Sequence, residues 1–104
     1  LKEAAMPMKS PPHPGRLIKA AMEELNLSVA RGAGALGISR AQLHRVVAEE
    51  SSVSPELALR LETVIGSSAE AWLRLQAAYD AAQIRMRAEE ITKGLKRIAP
   101  QPLV

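Results

Sequence analysis

From Gly15 onward, apolar residues recur at intervals of three and four. Leu17, Ile18, Ala21, Met22 and Leu25 share one helical face, and Asn26 with Leu27 closes this first helix. Ser28 is placed to cap a second helix, Val29 to Leu36, and Gly37 to stop it. Ser39 caps a third, running from Arg40 to about Ala48. Ser54, Pro55 and Glu56 open a fourth: a cap, a proline at the first helical position and an acid facing the positive helix end. Leu57, Leu61, Val64, Ile65 and in part Leu59 form its buried side, and Gly66 ends it. Ser67 and Ser68 offer the next cap, and a long helix follows from about Ala69 through Trp72, Leu73, Leu75, Ala78 and Tyr79. Ile84, Ala88, Ile91, Leu95 and Ile98 then continue the stripe among mixed charges, which predicts an amphipathic, coiled-coil-like extension, either continuing the helix or folding back on the core, and ended by Pro100.

The expected fold is all-α, with an extended N-terminal segment over 1–14, a helical domain over 15–80 and the extension and tail over 81–104. Four prolines (Pro7, Pro11, Pro12 and Pro14) keep the first segment out of a helix, and Met8 is a candidate natural start.

Only Gly37, Ile38 and Ser39 separate the second and third helices. A connection this tight, with glycine where the chain must turn left-handed, is the mark of a helix-turn-helix. Ala33 is small where the third helix must cross, Ile38 plugs the junction, and Leu43 with Val46 or Val47 faces the core. Arg40, Ala41, Gln42, His44 and Arg45 are left outward. Arginine can fork onto guanine, glutamine can pair with adenine, and a bare alanine can meet a thymine methyl. Ser39 and the amides beside it stand where a phosphate would be gripped. The pattern therefore points to major-groove DNA binding by Ser39, Arg40, Ala41, Gln42, His44 and Arg45. The bland alternative is an ordinary helical hairpin with a solvated polar face.

Charge agrees with the first reading, though weakly. The net charge is +3, and residues 1–48 hold seven Lys/Arg against three acids while the remainder holds seven against eight. A basic first half is what a phosphate surface needs. Aromatic residues are only 2% against 47% hydrophobic overall, so the core must be built from Leu, Ile, Val, Ala and Met in closely packed helices.

Other chemistries find no support. With no cysteine, thiolate metal sites and disulfides are out, and His13 and His44 lack partners at ligand spacing. His13 reads instead as a helix-entry residue. Ser28 and Ser39 sit at helix starts with no general base near, so they cap rather than attack. No glycine-rich phosphate loop follows a strand. The expectation is no enzyme, no cofactor and no metal. No apolar run approaches the ~18 residues needed to span a bilayer, and residues 1–12 hold no signal-like apolar block, so the cytoplasm is the expected compartment.

His13-Pro14-Gly15-Arg16-Leu17-Ile18 resembles the opening of HigA-type antitoxins of toxin–antitoxin operons. The helix-turn-helix follows, then Ser54 to Leu61 in the family's Ser-Pro-Glu-x-Ala-x-Arg-Leu form. Gly66 to Asp80 is similar to its Gly-x-Ser-x-x-x-Trp-Leu-x-Leu-Gln-Ala-x-Tyr-Asp run. The likeness covers about Pro12 to Asp80, and the last run is the most specific part. It implies a five-helix phage-repressor-like domain, a homodimer on a double-stranded operator palindrome, repression of its own operon, and neutralisation of a small RNase toxin. Two other readings stay open: a stand-alone regulator, and a protein-interaction module with weak DNA binding. Trp72 and Tyr79 read as core or dimer packing, with toxin contact as the sharper alternative.

The chain departs from the pattern in two places. Gly32 and Gly34 stand inside the second helix, where each costs about 1 kcal/mol relative to alanine. Glu49 and Glu50 follow the third helix where the family places Asn-Gly and a cation, which predicts repulsion from a DNA backbone.

Overall fold

A computed structural model describes residues 10–98. Within them the chain forms six helices: α1 (Pro14–Glu24), α2 (Val29–Leu36), α3 (Arg40–Val47), α4 (Pro55–Val64), α5 (Ala69–Arg85) and α6 (Ala88–Thr92). No strand occurs among the described residues. The fold is all-helical, as its alternating caps and apolar faces predict.

One device starts four of these helices. Ser28, Ser39, Ser54 and Ser68 each lie in extended backbone and accept, through Oγ, the N–H three residues on, at 3.0–3.1 Å. His13 does the same work for α1 by a different route: its Nδ1 accepts the Gly15 N–H at 2.9 Å. Pro14 then occupies a position whose N–H would have had no partner.

The first three helices also end alike. Asn26, Gly37 and Glu49 take left-handed backbone (φ 58°, 73° and 66°). The next N–H reaches back across the turn: Leu27 to the Met22 carbonyl, Ile38 to Ala33 and Glu50 to Arg45, at 2.8–3.0 Å. Asn26 and Gly37 are residue types that suit such a stop, so the sequence announces two of the three and hides the one at Glu49.

The core gathers Ile18 and Met22 from α1, Ala33 and Leu36 from α2, Leu43 and Val46 from α3, Val53, then Leu57, Ala58 and Leu61 from α4 and Trp72 from α5. Leu17 and Leu25, expected on the buried face of α1, are 40% and 54% exposed. The reason is geometric: α1 packs on α3 and α5, and that contact takes in a narrow stripe of Pro14, Gly15, Ile18 and Met22. Leu59 is 57% exposed for the same reason on α4.

The predicted helical extension is present as a second, short helix. α5 runs across residue 80 to Arg85 and stops, because the N–H groups of Met86 and Arg87 bond to carbonyls three residues back rather than four. α6 adds five residues, and Gly94 then turns left-handed (φ 80°). Because α6 is a separate helix, the continuous helix is not, of the two courses open over residues 86–98, the one taken by the extension. Its stripe is solvent-facing: Ile84, Ile91, Leu95 and Ile98 are 50%, 43%, 70% and 101% exposed. Periodicity placed these residues on one line, yet a helix holds only where that line finds a surface to bury against. Met8, most of the N-terminal segment and Pro100 lie outside the described residues. Pro11 to His13, which are described, are non-helical.

Candidate nucleic-acid interface

α2 and α3 meet through the turn Gly37-Ile38-Ser39. Gly32 and Ala33 are both buried where the helices cross. The departure at Gly32 has a structural cause, since a β-carbon there would lie 3.0 Å from Met22 Cε and 3.2 Å from Leu43 Cδ2. Gly34 has no such neighbour and faces open space.

On α3, Leu43 and Val46 point inward and are 0% and 1% exposed. At about 100° per residue, the opposite side of the helix is centred on Ala41 and Arg45, with Arg40 and His44 on one flank and Gln42 on the other. Arg40, Ala41, His44 and Arg45 are all exposed, and Gln42 is half-buried. The structure thus brings the named residues onto one convex face around a short alanine. Ser39 is exposed as well, and its Oγ already accepts the Gln42 N–H at 3.0 Å, which leaves the hydroxyl proton for an outside acceptor.

Three polar features of this region were not foreseen. Arg60 of α4 reaches to the turn, where Nη1 donates to the carbonyls of Leu36 (2.9 Å) and Gly37 (3.4 Å). Its Nη2 donates to Glu56 Oε2 at 2.8 Å. The four-residue spacing of Glu56 and Arg60 marks a helical pair, but nothing in the chain points to the carbonyls it reaches. Second, Gln76 is 5% exposed, accepts the buried Val53 N–H at 2.7 Å and donates to Asp80 at 2.9 Å. It holds the loop after α3 against α5. Third, Glu49 is not a lone acid, because Arg16 of α1 donates to it from Nε at 3.2 Å and Nη2 at 3.4 Å. Of the two acids predicted to repel DNA, Glu49 is matched within the molecule, whereas Glu50 is exposed.

The residues singled out as helix entry and packing find their places. His13 is buried and meets Tyr79 edge-on, with ring centroids 4.8 Å apart. Trp72 is buried and donates from Nε1 to the Gly66 carbonyl at 3.0 Å. Among the described residues no group of three or more His, Cys, Asp or Glu is arranged to hold a metal, and no helix is long and apolar enough to cross a membrane.

Known proteins share this geometry. The helix-turn-helix family model matches residues 18–72, from the core of α1 to Trp72. The chain belongs to that family. The uncharacterized HTH-type transcriptional regulator YddM of Escherichia coli (strain K12) is 33% identical over 96 residues, covering 92% of this chain and 100% of YddM. An addiction module antidote protein of the HigA family from Coxiella burnetii superposes with a TM-score of 0.75 at 28% identity, over 85% of this chain and 98% of that one. The Pseudomonas aeruginosa antitoxin HigA, solved with the higBA promoter, gives a TM-score of 0.77 at 27% identity, over 86% and 99%. The chain is a helix-turn-helix DNA-binding regulator of the antitoxin type, similar to HigA antitoxins, and belongs with regulators rather than enzymes.

Proposed function

We propose that this regulator represses its own toxin–antitoxin operon by reading an operator palindrome as a homodimer, and that it neutralises a small RNase toxin by binding it in the cytoplasm. One observation carries the DNA half of this reading. The side chains of Arg40, Ala41, His44 and Arg45 are exposed on a helix whose other face is locked by Leu43 and Val46. In a dimer, two such helices about 34–36 Å apart enter successive major grooves, one per half-site. Support comes from the Pseudomonas aeruginosa relative, solved with the higBA promoter, and from the arginine matched to Glu49, which offsets that residue's share of the expected repulsion.

The protein-binding half draws on a different region. Ile84, Met86, Ile91, Leu95 and Ile98 expose large apolar side chains over a short stretch, and such a surface marks a place for another protein chain. The dimer partner and the toxin are the two occupants this reading supplies.

A mobility-shift titration with the DNA upstream of the gene tests the first half. A shift that survives competition by scrambled duplex is expected, and Arg40→Ala should weaken it by ~1–3 kcal/mol and relax base preference. A folded protein that fails to shift this DNA at low salt would leave only the interaction module. Sedimentation equilibrium tests the dimer. Co-expression with a small basic RNase encoded beside the gene tests neutralisation: growth should be restored, and continued arrest would leave a stand-alone regulator.

A further inference from the structure

We propose that Arg60 is a positioning residue for base reading: it sets the angle of α3 against the rest of the domain, and sequence discrimination depends on it although it touches no base. The inference rests on the DNA-reading function proposed above.

The turn between α2 and α3 has a weak point. Leu36 and Gly37 end α2, where the last carbonyls have no partner inside the helix. On the core side α3 is held by Leu43, Val46 and half-buried Val47, and its last turn rests on Gly15 of α1; these aliphatic and backbone contacts resist separation more than rotation of α3 about the turn. A directional contact is needed to fix the angle, and Arg60 supplies it. Its planar guanidinium bonds the carbonyls of Leu36 and Gly37 with one nitrogen and Glu56 with another. α4 is thereby tied to the turn from outside the hydrophobic core.

Gly37 is shaped for this contact as well as for the turn. A β-carbon there would lie 2.6 Å from Arg60 Nη1, so a side chain at Gly37 would displace the guanidinium even if the backbone accepted it. Arg60 and Glu56 also line one polar cleft with Gln42, at the edge of the outward face of α3. The contact therefore borders a residue proposed to read bases. Hydrogen bonds to base edges need side chains placed within about 0.5 Å and 10–20°, a tolerance that a pivoting helix exceeds.

Lysine retains the charge but not the fork, since a compact ammonium cannot grip the turn and Glu56 in one plane. This separates positioning from simple attraction to phosphate. Wild type, Arg60→Lys, Arg60→Ala and Glu56→Gln are titrated by fluorescence anisotropy against the upstream DNA and a scrambled duplex at several salt concentrations. Circular dichroism follows their helix content. Expected is a drop of about tenfold in the specific-to-scrambled affinity ratio for both Arg60 variants and a smaller drop for Glu56→Gln. Scrambled-duplex affinity and the salt slope should stay at wild-type values. Arg60→Lys with a wild-type ratio overturns the proposal. So does an Arg60→Ala salt slope reduced by about one unit with an unchanged ratio, which marks a phosphate contact. If Arg60→Ala fails to fold, the Arg60→Lys and Glu56→Gln ratios decide by the same criteria. A wild-type protein with no preference for the upstream DNA overturns the DNA-reading function itself, a result distinct from the failure of Arg60 alone.

Discussion

The carbonyl oxygen of Val46 occupies the space that a β-carbon on Gly15 would fill. The first turn of α1 and the last turn of α3 thus meet backbone to backbone, and the His-Pro-Gly opening is a packing device as much as a helix start. Gly15→Ala forces these two turns apart, and overpacking of this kind costs about 1–3 kcal/mol. A lowered urea midpoint with an unchanged slope is the expected result. A midpoint equal to wild type would show that the contact yields freely.

The two glycines of α2 should answer in opposite ways. Gly34 faces open space, so Gly34→Ala gains helix propensity and stabilises by about 1 kcal/mol. Gly32→Ala brings the same gain but crowds Met22 and Leu43, and should give no net increase. Paired thermal melts read the difference, and equal gains at both sites would contradict the crossing geometry.

Gln76 is the polar residue on which the loop after α3 depends. Gln76→Leu leaves the buried Val53 N–H without an acceptor, a loss of about 1–3 kcal/mol. Asp80→Ala, at an exposed site, removes only the outer bond and should stay within about 0.5 kcal/mol of wild type. Chemical denaturation of the two variants side by side checks the ranking.

Ala41 lies at the centre of the outward face of α3. Ala41→Glu places an acid there without touching the core, so stability should hold within about 0.5 kcal/mol while binding to the upstream DNA is lost. Retained binding in a mobility-shift assay would mean that another surface meets the duplex.

Arg16 is paired with Glu49 at an exposed site, where such a bond adds ~0–1 kcal/mol. Its larger effect is expected on charge. Glu49→Gln releases Arg16 and should steepen the salt dependence of DNA affinity by up to about one unit. An unaltered slope would place Arg16 out of reach of the backbone.

Local rules, each legible in a few consecutive residues, account for most of what could be read before any coordinates. A serine oxygen reaches the N–H three residues on whatever surrounds it, so Ser28, Ser39, Ser54 and Ser68 announced four helix starts. Glycine alone takes φ near +73° without strain, so Gly37 announced the turn. The outward set from Arg40 to Arg45 follows from Leu43 and Val46 being apolar on an 8-residue helix. What folding in three dimensions had to decide were contacts between residues far apart in the chain: Arg60 with the Leu36 carbonyl, Gln76 with the Val53 N–H, Glu49 with Arg16. A backbone carbonyl or N–H is the same in every residue, so no letter in the chain marks which side chain will come to it. The C-terminal stripe shows the converse. Its spacing suited a helix from Ile84 to Ile98, but spacing cannot supply the opposing surface; among the described residues the stripe stays exposed, and α5 ends at Arg85.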